Sequence, residues 1–105
     1  IHISDLADIH IKALNFLNQN KSEIFNCGYG HGYSVLEIVN TMKKVSGINF
    51  SVKIAERREG DIVTMVSDTK KLKNNINWLP QHDNIEFICK TTLNWENLLI
   101  KNKGN

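Results

Sequence analysis

Between Phe25 and Glu37 the chain reads FNCGYGHGYSVLE, and this stretch limits the folds open to it more than any other. A short apolar run, Ile24 to Cys27, is followed by glycines at 28, 30 and 32 and then by Ser34 and Glu37 in the S-x-x-E spacing of a capping box. Glycine reaches the positive-φ conformations that a sharp turn needs. The capping box fixes where a helix starts, because each residue satisfies an otherwise unpaired N–H of the first turn. The stretch therefore predicts a strand, a tight turn and a helix from Ser34, with Val35, Ile38, Val39, Met42 and Val45 on one face. Gly47 is placed to end that helix.

The same reading extends along the chain. Leu6, Ile9, Ala13, Phe16 and Leu17 recur at helical spacing and predict a helix from Asp5 to about Asn18, with Ser4 or Asp5 as N-cap. A polar connection, NQNKSE, follows it. The opening IHIS and the alternating FSVKIA read as strands, and IVTMVSD as a short extended segment. Asp68 can cap a short helix through Leu72, and NWLP closes it, since Pro80 disfavours a helical Leu79. The last helix runs from about Asp83 to Leu99, with Ile85, Ile88, Thr91, Trp95 and Leu98 facing inward. The expected fold class is α/β: one domain over 1–105, a small partly parallel sheet interleaved with helices. Parallel strands need cover on both faces. Two or three helices supply only part of it, and the first residue, Ile1, already stands in a strand-like element, so the sequence reads as cut from a longer chain.

Composition removes several classes of function. The 105 residues are 41% hydrophobic and 23% charged, ordinary globular values, and the net charge is +2 with acids and lysines interspersed. No basic stripe for nucleic acid is present. No apolar run approaches the roughly 20 residues of a membrane span. Cys27 and Cys89 lie far apart in apolar-leaning segments and read as free thiols, which fits a reducing, cytoplasmic setting.

The glycine turn invites a dinucleotide site, but the fingerprint fails: Gly28 and Gly30 are correctly spaced, while the third glycine position is Tyr33. His2, His10, His31 and His82 show no metal-ligand spacing, and no metal site is assigned. Asp5 and Asp8 fall in the first turn of a helix, where a carboxylate complements the helix dipole rather than catalysing. The stretch ERREGD differs in kind. A guanidinium presents a planar fork that matches phosphate oxygens, a carboxylate accepts from sugar hydroxyls, and Gly60 lets the backbone turn between Arg58 and Asp61. From spacing alone a solvated charge run remains the default.

Taken in order, IHISDLADIHIKAL, IFNCGYGHGYSVLEIV, ERREGD with SDTKKLKNNINWLP, and TTLNW resemble the C-terminal, substrate-binding portion of the UDP-glucose 4-epimerases, in the extended short-chain dehydrogenase/reductase family. The resemblance covers essentially the whole chain. It implies UDP-sugar binding with Arg58 on the diphosphate, Asp61 on the ribose and Val35 packed near the ribose and uracil. It also implies NAD bound by an N-terminal Rossmann domain absent from this sequence, a homodimeric whole, and epimerisation through transient oxidation at C4 that interconverts UDP-glucose and UDP-galactose. No catalytic residue can be named, because the Tyr-x-x-x-Lys pair of that family is missing: no lysine lies four residues after Tyr29 or Tyr33. The fragment alone is expected to be inactive. Met65, at a position that varies within the family, leaves the sugar open. A nucleotide-sugar epimerase of other specificity, a dehydratase, a decarboxylase, or a non-enzymatic anion-binding module are the other readings.

Overall fold

A computed structural model describes residues 1–19 and 22–103. Among the described residues the elements are four helices: α1 (Ile3–Leu17), α2 (Val35–Ser46), α3 (Lys70–Asn75) and α4 (Ile85–Lys103). They fall into two compact units, one of Ile1–Gly32 with Val66–Asp83 and the other of Tyr33–Met65 with Asn84–Asn105. Asn20 and Lys21, inside the polar connection expected after α1, lie outside the described residues.

Two expectations are corrected at the chain's start. IHIS is not a strand: α1 begins at Ile3, two residues earlier than the periodicity suggests, because His2 and not Ser4 or Asp5 is its N-cap. The His2 Nδ1 accepts the Ser4 N–H at 3.1 Å. Histidine lies outside the usual capping set. Its ring nitrogen nevertheless serves as the oxygen of a serine would.

The expected sheet is not present among the described residues, where IFNC, FSVKIA and IVTMVSD all lie outside regular elements. A helix closes its hydrogen bonds locally, whereas a strand requires a partner segment at ladder distance. Phe50, Val52 and Ile54 keep the alternation of a strand, yet are 37, 45 and 84% exposed.

The first unit is built on Ile9, Leu72, Ile76 and Trp78, all buried, with Ala13, Phe16, Phe25, Cys27 and Tyr29 packed against them. Phe16 meets Phe25 edge to face at 5.3 Å, the arrangement aromatic quadrupoles favour. Tyr29 stacks on Trp78 with ring planes 7° apart. Leu72 is fully enclosed. The helix carrying it, α3, has Thr69 and not the expected Asp68 as its N-cap residue, although the Asp68 carboxylate accepts the Lys70 N–H at 3.1 Å, and it runs to Asn75 rather than Leu72.

At the edge of this core lies Asp5, 2% exposed. Its carboxylate accepts the Tyr29 hydroxyl at 2.7 Å, the Gln81 N–H at 3.0 Å and the His82 N–H at 3.0 Å. The Tyr29 oxygen in turn accepts the His2 N–H at 3.0 Å. One side chain thus ties the start of α1 to the glycine turn and to the segment after Pro80, partners 24, 76 and 77 residues away. The dipole role expected of Asp5 is at most a part of this. Asp8 stays at the surface, paired with Lys12 at 3.5 Å.

In the second unit α2 and α4 pack together, and Lys44 forms an ion pair with Glu86. The capping box is present as expected: the Glu37 carboxylate accepts the Ser34 N–H at 2.7 Å, and the Ser34 hydroxyl oxygen accepts the Glu37 N–H at 3.2 Å. Gly47 closes α2 at φ 69°. α4 begins at Ile85 with the Asn84 side chain accepting the Phe87 N–H at 3.0 Å, and its buried residue is Cys89. Trp95 and Leu98, expected inside, are 59 and 52% exposed. The helix α4 spans 19 residues against 12 in its packed partner α2, so one helix of cover does not reach the whole of its apolar stripe.

Burial alone would raise the Asp5 pKa, but the Tyr29 hydroxyl, the two N–H groups and the nearby His82 outweigh it and hold the carboxyl below its ordinary value. Burial, with Asp5 beside it, pushes the Tyr29 phenol up to about 12. The sign follows from linkage. Asp5 stabilises the fold above the unfolded carboxylate pKa of about 4 and loses that contribution as pH falls through its lower folded value. Tyr29 stabilises it below about pH 10 and loses that as pH rises through about 12. Asp5→Ala leaves three donors without an acceptor at about 1 to 3 kcal/mol each. Thermal unfolding against pH is expected to show a loss of at least about 3 kcal/mol at neutral pH and a flattened acid limb in the variant. A wild-type acid limb in Asp5→Ala would contradict this account.

Candidate functional site

The turn at 56–61 is built by its own residues. Gly60 adopts φ 83° with no atom within 4 Å of where a side chain would start, so conformation and not crowding requires glycine there. The Asp61 N–H returns to the Arg58 carbonyl at 3.3 Å and closes the turn. Two arginines then act on it differently. The Arg57 guanidinium donates to the Asp61 carbonyl at 2.6 Å. The Arg58 Nε donates to the Asp61 carboxylate at 3.3 Å while its side chain remains 86% exposed.

The structure therefore brings Arg58 and Asp61 together, as the sequence spacing suggested. Arg57 is a clamp on the backbone of the turn, which the sequence did not reveal: two adjacent arginines look alike until the turn assigns one of them inward. Chemically the turn presents a guanidinium fork beside a carboxylate that is itself 44% exposed, a donor surface for an anion next to an acceptor for hydroxyls. Val35 stands apart from that turn in sequence, as the first residue of α2, and is 77% exposed. Met65 is 81% exposed.

The glycine turn has a different explanation from the one its spacing invites. A Cβ on Gly28 would lie 3.0 Å from the Ser67 Cβ, and one on Gly32 would lie 3.3 Å from a Val66 methyl. These glycines allow the chain's own segment 66–69 to approach. The residues of the turn do not fit a dinucleotide cradle, and no step is assigned to NAD on them. Both thiols are free, Cys27 half-buried and Cys89 buried, and burial raises each pKa. Among the described residues no helix is long and apolar enough to cross a membrane.

No family model matches the chain. A UDP-glucose 4-epimerase of Azospirillum brasilense is 40% identical over 105 residues, covering 99% of this chain and 30% of the relative. Among solved structures, the UDP-Glc/GlcNAc 4-epimerase from Campylobacter jejuni is 46% identical, with a TM-score of 0.88 over 93% of this chain and 30% of that one. The UDP-glucose-4-epimerase from Stenotrophomonas maltophila, solved with bound NAD and formylated UDP-arabinopyranose, gives a TM-score of 0.88 at 30% identity, over 96% of this chain and 30% of its own.

Gly60→Ala is expected to leave the helices intact and to open the turn, since a side chain at positive φ costs about 1 to 2 kcal/mol. The Asp61 amide, protected by Arg58, should then exchange with solvent markedly faster, while amides of α2 exchange as before; unchanged Asp61 protection would show that the turn does not depend on this glycine.

The chain spans about 30% of the length of the relatives it matches, and over that length the resemblance to the UDP-glucose 4-epimerases carried by its four ordered motifs is borne out in sequence and in fold alike.

Proposed function

We propose that this chain is the UDP-sugar-binding, C-terminal part of an NAD-dependent UDP-glucose 4-epimerase. The observation that carries the reading is the match itself, 40% identity over 105 residues together with a TM-score of 0.88 to two solved epimerases. The activity proposed for the whole protein is interconversion of UDP-glucose and UDP-galactose by transient oxidation at C4, with NAD held on a Rossmann domain outside this chain, in a cytoplasmic homodimer.

Within that protein the turn at 56–61 holds the nucleotide. Arg58 binds diphosphate oxygens with the face of its guanidinium that the turn leaves exposed, and Asp61 accepts from the ribose hydroxyls. Val35, exposed at the start of α2, packs beside the ribose and uracil. Arg57 fixes the turn from behind. A charge-assisted contact of this kind gains from a geometry set in advance, because less side-chain freedom is lost on binding. A sugar that must rotate during epimerisation needs its UDP end held, and this part of the protein supplies the hold.

The fold class follows the same reading. Phe50, Val52 and Ile54, alternating and exposed, become strand residues of a partly parallel sheet when the rest of the protein provides their partners. The sugar is glucose or galactose, and the 46% identity to a UDP-Glc/GlcNAc 4-epimerase favours an N-acetylated sugar as a second substrate.

Arg58→Ala in the intact protein is expected to weaken UDP binding by about ten- to a hundredfold, the loss of about 1.5 to 3 kcal/mol for a charge-assisted contact. Arg58→Lys should recover part of it, keeping charge without the planar fork. Arg57→Ala should cost less than Arg58→Ala, since it acts through the turn. Calorimetric titration with UDP decides it: equal losses at 57 and 58 mean a diffuse basic patch and overturn the assignment.

A further inference from the structure

We infer that Asp61 sets the selectivity of the arginine turn: paired with Arg58, it disfavours a diphosphate that brings no sugar, so that a nucleoside diphosphate is taken and inorganic pyrophosphate is not. The inference rests on the assignment of the nucleotide to this turn.

The first observation is the charge of the turn. Residues 56–61 carry three acids, Glu56, Glu59 and Asp61, against two arginines, a net −1. A loop that captured any anion by charge would be basic. The Arg57 guanidinium is moreover directed at the Asp61 carbonyl, which leaves Arg58, its side chain 86% exposed, as the arginine of the turn open to a ligand.

The second observation is what Arg58 already holds. Its Nε donates to the Asp61 carboxylate at 3.3 Å, longer than the roughly 2.7–2.9 Å of a well-formed charge-assisted bond. A long pair between exposed groups contributes little, so a phosphate oxygen can draw the guanidinium towards itself. The carboxylate does not move away with it. The Asp61 main chain is fixed on both sides, its N–H on the Arg58 carbonyl at 3.3 Å and its carbonyl on Arg57 at 2.6 Å. Asp61 therefore stays beside the incoming anion with its cation now shared, and the two like charges repel.

Compensation has to come from the ligand. A carboxylate accepts and does not donate, and the two hydroxyls of a ribose are donors placed a few bonds from the diphosphate. A nucleoside diphosphate brings both the anion for Arg58 and the donors for Asp61. Pyrophosphate brings the charge without the ribose. Selectivity of this kind comes from repulsion of the wrong ligand as much as from contacts to the right one.

The test is calorimetric titration of the full-length protein, of Asp61→Asn and of Arg58→Ala, each with UDP and with inorganic pyrophosphate. Asp61→Asn keeps the shape of the side chain and both main-chain bonds that close the turn. It is expected to move the two ligands in opposite directions, pyrophosphate at least threefold tighter and UDP at least threefold weaker, while Arg58→Ala weakens both. Pyrophosphate affinity that falls or stays the same in Asp61→Asn overturns the inference, and leaves the nucleotide assignment standing where Arg58→Ala still weakens UDP. UDP affinity untouched by Arg58→Ala overturns the assignment and the inference with it.

Discussion

The carboxylate of Asp5 is the point on which the first unit depends. A charge at 2% exposure is tolerated only when its oxygens are hydrogen-bonded, and here three donors from two distant segments converge on it. The consequence is positional. Tyr29 is held by its hydroxyl on Asp5 and by its ring on Trp78, and Tyr29 is a residue of the glycine turn. The turn is thereby held against the segment 66–69, which its glycines allow to approach.

The second unit is organised differently. It has a well-defined start, the Ser34–Glu37 box, and a well-defined stop at Gly47, but no buried residue on α2. Several of its apolar side chains, Val35, Ile54, Val63 and Met65, are 77 to 84% exposed. Local hydrogen bonding sets the ends of α2, and the packing of α2 on α4 leaves these side chains uncovered. The arginine turn at 56–61 is likewise locally closed, by Gly60, by Arg57 and by the return of the Asp61 N–H. A turn closed by its own residues needs no core beneath it.

What the sequence made legible divides along the same line. The helices α1, α2 and α4 could be read from apolar spacing, and the start and end of α2 from Ser34, Glu37 and Gly47, because these signals act within four residues. The expected strands are not present among the described residues, and a strand depends on a partner segment that no local pattern reports. From the sequence Asp5 reads as a first-turn acid, because its partners lie 24 to 77 residues away, beyond any local pattern. His2 as a cap and Arg57 as a clamp are local contacts, hidden for a different reason: histidine lies outside the usual capping set, and two adjacent arginines look alike until the turn separates them. The pairing of Arg58 with Asp61 was visible because a single turn makes it.

The central claim is that the arginine turn is where the nucleotide is held. Hydrogen exchange followed by mass spectrometry on the full-length protein, with and without saturating UDP, tests it without any substitution. The account predicts that peptides covering 55–63 and the first turn of α2 gain protection with UDP, while peptides of the Asp5 network around α1 and 76–83 do not change. Protection that appears elsewhere and leaves 55–63 unaltered would contradict it.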